Sequence, residues 1–224
     1  MTQSSQDSEL ASLIAGGEQA LAAAFSRYSE RLEKMVRFRL DQRLWGRVDP
    51  ADVLQEAYLE ISRRLNEYLG DPVVPVFVWL RRMTEQMLVN LHRRHLGAQI
   101  RDASLEVSLQ RGRGSIGTSF SLAARLVADL TSPSQAAMRE EMLTELREAF
   151  DEMDPIDREV LALRHFEELS NNEVAEILGL QKAAASNRYV RALSRLKSIL
   201  SRMPSFREEP VTDPREGGDG RRER

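Results

Sequence analysis

Apolar positions recur along this chain at intervals of three and four, the spacing of one face of an α-helix. Residues 18–44 carry Leu21, Phe25, Tyr28, Leu32, Met35 and Val36 in that rhythm. Residues 50–69 repeat it with Val53, Leu54, Ala57, Tyr58, Ile61, Leu65 and Leu69, after Asp49 as N-cap and Pro50 at the start. Gly70-Asp71-Pro72 and Pro75 break the pattern. A third helix is predicted from Val76 to Leu96, with Phe77, Leu80, Met83, Met87, Val89 and Leu91 as its stripe. Strand-like alternation is almost absent.

Residues 101–134 change character. They are rich in Gly, Ser and Arg, with short apolar pieces at Leu105, Val107, Leu109 and Leu122 to Leu126. This reads as an extended linker with one weak helix whose apolar pieces dock on a neighbour. Ser132-Pro133-Ser134 caps the next helix, and helical spacing resumes from Gln135 to Leu200. The last stretch, 201–224, is charged and rich in Pro and Gly, the composition of a disordered tail. The expected fold is all-α: two small helical domains, 1–100 and 135–200, joined by the long linker 101–134.

The second domain holds a specific constellation. Asp154-Pro155 opens a helix with Val160, Leu161, Leu163 and Phe166 on its buried face. Ser170-Asn171-Asn172-Glu173 matches a capping box, in which Ser and Glu satisfy each other's backbone donors. Val174, Ile177 and Leu178 follow, and Gly179 suits a left-handed helix end. A longer helix then starts within three residues, with Tyr189, Leu193, Leu196 and Leu200 expected to pack inward. A short capped helix, a tight Gly turn and a longer helix make a helix-turn-helix, whose second helix enters the major groove.

Charge sharpens this picture. The chain has a formal net charge of −3 and a sequence pI of about 5.8, which taken whole argues against nucleic-acid binding. The mean hides an asymmetry. Lys182, Arg188, Arg191, Arg195 and Lys197 are the charged residues of the last helix, all positive, while Glu140 to Glu176 is strongly acidic. Lys182, Ala184, Ser186, Asn187, Arg188, Arg191 and Arg195 are the candidates for base and phosphate contacts, with Ala183, Ala184 and Ala185 small enough for close approach. The plainer alternative is a two-helix bundle with a solvated basic face.

The helix at 76–96 carries the other positive cluster: Arg81, Arg82, His92, Arg93, Arg94 and His95, extended by Arg101. Thr84, Gln86 and Asn90 lie between them, and Phe77 and Trp79 stand at its start. Such a helix can follow a DNA backbone, and its aromatics can stack on unpaired bases; both aromatics also fit a core role. Asp49, Asp52, Gln55, Glu56 and Glu60 form an acidic-polar strip on the preceding helix, either a solvated face or a dock for a basic partner.

Other classes fall away. There is no cysteine, hence no disulfide framework or thiolate metal site. His92 and His95 have no convenient third ligand and are flanked by arginines, so no metal and no cofactor is expected. No nucleophile–base pair, phosphate loop or paired-carboxylate signature points to an enzyme. The polar N-terminus and the lack of a long apolar run predict a cytoplasmic protein with no membrane segment.

Over residues 15–97 and 136–200 the chain resembles sigma factors of the extracytoplasmic-function type. Asp49 through Ile61 resembles the segment that grips the coiled coil of the polymerase beta-prime subunit, which implies Asp49, Asp52, Gln55 and Glu56 as polymerase-binding residues. Phe77 through His95 is similar to the segments that melt and read the minus-ten promoter element. This implies Trp79, Arg82, Gln86, Asn90, Arg93 and Arg94 as DNA contacts, with the Asn66–Val76 loop holding a flipped base. Met153 through Arg164 and the helix-turn-helix resemble the domain that binds the minus-thirty-five element, with Ser186 through Leu193 in register with the recognition helix. Ala183-Ala184-Ala185 departs from the Gly-Thr-Val frequent there, which bears on promoter sequence and not on fold. The implied partners are core RNA polymerase (beta-prime coiled coil and beta flap), promoter DNA and an anti-sigma factor, with the linker threading the RNA exit path. Two other readings stay open: a stand-alone helix-turn-helix regulator with an N-terminal sensor or dimerisation bundle, and an adaptor that binds polymerase without DNA.

Overall fold

The computed structural model describes residues 3–96, 118–130 and 136–203. Helix α1 spans Gln3–Arg39 and is two helical segments joined at Gly17, whose φ of 52° and ψ of −129° lie outside the helical region. Only glycine takes that conformation cheaply. The consequence is a hairpin. In one straight helix Glu9 and Tyr28 would stand ~28 Å apart, yet the Tyr28 hydroxyl donates to Glu9 Oε2 at 2.9 Å.

A single 3-10 turn at Gln42–Leu44 leads to α2, Pro50–Arg63, where Asp49 caps by accepting from the Ala51 amide. The stripe predicted over 50–69 is buried as expected, but it belongs to two helices. The chain bends at Arg64, and α3 runs Leu65–Gly70. Helix α4 spans Val76–Leu96, the bounds its apolar spacing predicts. Helices α1, α2 and α4 pack around Leu21, Leu32, Met35, Ile61 and Leu80.

The linker prediction met a firmer element. Thr118–Leu130 forms α5, which lies against α6, Ala136–Asp151. Leu122, Ala123 and Val127 enter a second core with Leu146, Phe150, Ala192 and Ile199, so the docking expected of the 122–126 piece is seen. Leu105, Val107, Leu109, the Ser132-Pro133-Ser134 cap and the tail from Pro204 lie outside the described residues.

Helix α7, Pro155–Leu161, is capped by Asp154 and continues as a wider turn over Ala162–Phe166. Helix α8, Asn171–Leu178, and helix α9, Lys182–Leu200, complete the fold. Among the described residues there is no strand, no helix long and apolar enough to cross a membrane, and no cluster of side chains suited to a metal ion.

The two halves touch. Val160, Leu163, Leu169, Val174, Leu178 and Ala185 share one buried cluster with the residues of α1 and α4. Phe38 of α1 stacks on Phe166 with ring centroids 5.1 Å apart.

Candidate nucleic-acid interface

The helix-turn-helix forms as its sequence predicts, with its caps in place. Ser170 Oγ accepts from the Glu173 amide, and the Glu173 carboxylate accepts from the Ser170 amide at 2.7 Å, closing the capping box. Gly179 ends α8 in the left-handed conformation, φ 63°, and its amide returns to the Ala175 carbonyl. Asn171 Nδ2 donates to the Lys182 carbonyl at 2.9 Å, pinning the start of α9 to the start of α8.

The buried face of α9 differs from the predicted one. Ala185, Ala192 and Ile199 are its buried residues, spaced seven apart, and Leu193 stands 36% exposed. Small side chains at 185 and 192 let α9 sit close on the helices below it. Ala185 is therefore a packing residue, not one that approaches bases, and Tyr189, Leu196 and Leu200 only flank the seam. This rotation puts Lys182, Ser186, Asn187, Arg191 and Arg195 on the exposed side, with Ala184 half-buried at its edge. Arg188 is held back: its Nη1 lies 2.8 Å from Asp157 Oδ1. The outcome is one basic ridge with a small-residue start.

On α4, Arg82, Gln86, Asn90 and Arg93 are all exposed at intervals of four, four and three, hence on one face. Arg94 is exposed too and pairs with Glu56 at 2.9 Å. Two of the basic residues read as part of that face lie elsewhere. Arg81 is fully buried, and His92 points inward, its Nε2 accepting from the Asp41 amide at 3.2 Å. Burial pushes the His92 imidazole below its usual range. Trp79 is also inside, stacked on Tyr68 at 4.2 Å between centroids, and Phe77 is buried under the Arg31 guanidinium at 3.8 Å. Both aromatics are core residues in this arrangement, and neither presents a face to an unpaired base.

Asp49, Asp52, Gln55 and Glu56 are exposed along the outer side of α2, continued by Leu59 at 57% exposure. Beside them is an open cleft of about 680 Å³, lined by Arg37, Trp45, Arg47, Asp49 and Asp52. An acidic strip with apolar side chains at its margins has the makeup of a protein-docking face.

A buried charge cluster joins the halves, and residue spacing did not reveal it. Arg39 and Arg81 come from α1 and α4; Glu159 and Glu167 come from α7 and the turn after it. Glu167 accepts from Arg39 Nε at 2.6 Å and from Arg81 Nε at 2.7 Å. Arg39 also pairs with Glu159, and Arg81 with Glu85 at 3.0 Å. Burial by itself would raise the Glu167 carboxyl, but the two guanidinium groups outweigh it and hold it down at about 2. Around this cluster Arg31 chelates Glu173 and Lys34 meets Glu168 at 3.0 Å. The sequence trace of these pairs is the acidic run Glu140 to Glu176, which supplies the carboxylates that meet the arginines of α1 and α4.

Among the described residues, a helix-turn-helix whose second helix carries only positive charges has the makeup of a DNA reader. Residues 143–196, which hold that motif, match the family model for Sigma-70, region 4. The chain is 25% identical over 206 residues to the RNA polymerase sigma-H factor of Pseudomonas aeruginosa, covering 91% of this chain and 97% of that protein. The solved structure of CnrH in complex with the cytosolic domain of CnrY matches 86% of this chain and 95% of its own, at 21% identity and a TM-score of 0.47. Residues 143–196 thus match a Sigma-70 region 4 domain, and over most of its length the chain is similar to a sigma factor.

Proposed function

We propose that this protein is a sigma factor of the extracytoplasmic-function type: it joins core RNA polymerase in the cytoplasm and directs it to promoters. The carrying observation is the Sigma-70 region 4 match lying on the same residues that form the capped, basic helix-turn-helix. Lys182, Ala184, Ser186, Asn187, Arg188, Arg191 and Arg195 read the minus-thirty-five element. Arg82, Gln86, Asn90, Arg93 and Arg94 follow the minus-ten element, and Trp79 takes part only once its stack on Tyr68 opens. Asp49, Asp52, Gln55 and Glu56 dock the polymerase. Residues 1–100 and 135–200 are the two working domains. An anti-sigma factor is a further partner in this reading. The protein performs no covalent chemistry; binding energy at two DNA sites and one polymerase site drives promoter opening.

In-vitro transcription with core polymerase on a promoter library tests this directly. Specific transcripts that require the protein support the reading. Gel shifts with and without polymerase separate it from its rivals. Tight specific duplex binding by the chain alone points to a stand-alone regulator. Polymerase binding with no loss of promoter affinity in Arg188→Ala and Arg191→Ala points to an adaptor.

A further inference from the structure

The turn between α1 and α2 leaves a large aromatic side chain in solvent. Trp45 is 56% exposed, yet its ring is held in place: Nε1 donates to the Leu40 carbonyl at 3.2 Å. The backbone around it is equally fixed. Gly46 takes φ 76°, a conformation glycine adopts most readily, and the amides of Arg47 and Val48 both return to the Leu44 carbonyl, at 3.0 and 3.1 Å. The open cleft of about 680 Å³ beside Trp45 is lined by buried or half-buried Leu40, Val48 and Pro50 and by exposed Arg47, Asp49 and Asp52. Its apolar side chains therefore lie beneath a charged mouth.

We propose that this cleft is a further docking point for core RNA polymerase, with Trp45 as its anchor: the cleft takes an apolar side chain that the polymerase projects beside its contacts with the α2 strip. This rests on the sigma-factor reading, which assigns that strip to the polymerase. Two observations tie the cleft to the strip. Asp49 and Asp52 belong to both, so a partner seated on one reaches the other. From Asp52 the strip runs through Glu56 to Leu59, one helical face ~10 Å long at ~1.5 Å per residue, and Leu59 is 57% exposed. The whole face thus has an acidic centre between two apolar ends, Trp45 and Leu59. The two kinds of residue differ in effect. Carboxylates in solvent steer a basic partner and set how fast it arrives. A rigid aromatic beside an apolar recess holds the partner, because apolar area leaves water and little side-chain freedom is lost. Lasting affinity therefore resides in Trp45 more than in the carboxylates beside it.

Binding of the full chain to core polymerase is measured by displacement of a labelled parent protein, at low and at high salt. Trp45→Ala should weaken it by at least ~10-fold, by the same factor at both salts. Trp45→Phe should lose less than Trp45→Ala. Asp52→Asn should show a loss that shrinks as salt rises. Hydroxyl-radical footprinting read by mass spectrometry tests the same point without a substitution. Oxidation of Trp45 should fall several-fold on assembly with polymerase, while the buried Trp79 stays low throughout. Full affinity in Trp45→Ala, or equal oxidation of Trp45 in the free and assembled protein, overturns the proposal. So does self-association of the parent that Trp45→Ala abolishes, which would assign the cleft to a second copy of this chain. A parent protein that does not bind polymerase at all defeats the sigma-factor reading itself, and the proposal with it.

Discussion

Arg81 Nε lies 2.7 Å from Glu167 Oε2, and both side chains are buried at 1% exposure although they belong to opposite halves of the chain. Their pairing turns a helix that reads as uniformly DNA-facing into one with two sides. One side meets solvent through Arg82, Gln86 and Asn90. The other meets the helix-turn-helix half. Removing one member of such a pair strands a buried charge. Arg81→Ala is expected to cost ~3–5 kcal/mol in urea unfolding. A change of midpoint below the equivalent of 1 kcal/mol would show that the pair is not buried in solution.

Acid should weaken the same pair. The Glu167 carboxyl sits at about 2 when folded, against an ordinary value of 4.5. Its contribution is thus complete above pH 4.5 and is lost as pH falls toward 2, on the order of 3 kcal/mol at ~1.4 kcal/mol per pH unit. The charges facing it are Arg39 of α1, Arg81 and Glu85 of α4, and Glu159 of α7. Stability measured from pH 5 to 2.5 should fall more steeply in the parent than in Glu167→Gln. Parallel curves would refute the assignment.

The two tryptophans should report separately. Trp45 is 56% exposed and Trp79 is 9% exposed under Tyr68. Acrylamide should quench the fluorescence of Trp79→Phe, which keeps Trp45, much more strongly than that of Trp45→Phe. Trp79→Ala should also destabilise by ~3–5 kcal/mol, the cost of emptying a large aromatic site. Equal quenching in the two variants would place Trp79 at the surface.

On α9, Arg191→Ala and Arg188→Ala should each weaken binding to a minus-thirty-five duplex by ~1–3 kcal/mol. They should differ in stability. Arg188 is partly buried against Asp157, so its loss also lowers unfolding stability, by up to ~1 kcal/mol. Arg191 is exposed, and its loss should leave stability unchanged. Asp157→Asn is the control, expected to reproduce the stability change with duplex affinity retained.

His92 gives a second, milder pH response. Its ring is held neutral by burial and accepts from the Asp41 amide, with Arg43 opposing the proton and Asp41 favouring it. Stability from this group is present above the ordinary histidine value of 6.5 and falls as pH drops through the lower folded value. An NMR titration should find the His92 midpoint below 6.5, and a midpoint above it would contradict the buried placement.

Elements with a local physical cause were readable in the sequence. The bounds of α4, the capping box at Ser170, the Gly179 turn and the Asp154 cap each follow from residues within a few positions of one another. The exposed strip of α2 followed from periodicity alone. What depended on partners distant in sequence did not show. The burial of Arg81 needs Glu167, 86 residues away, and Arg39 needs Glu159, 120 away. The inward face of α9 was misread because leucine outweighs alanine on any hydrophobicity scale. Packing distance chose the two small residues, Ala185 and Ala192, for the seam. The helix expected from residue 18 begins directly after Gly17, and the helical segment before it was missed because its sequence is mostly polar.

Glu173 carries two duties that came from different directions. Its carboxylate caps the first helix of the DNA reader and also holds Arg31 of α1. These duties constrain the two residues unequally. A change at 173 damages the reader itself, so that position has little freedom to drift. A change at 31 leaves the Ser170 cap intact, removing the contact with Glu173 and the cover over Phe77. Arg31 is therefore the freer of the two: substitutions there loosen the contact between the halves without touching the helix-turn-helix cap.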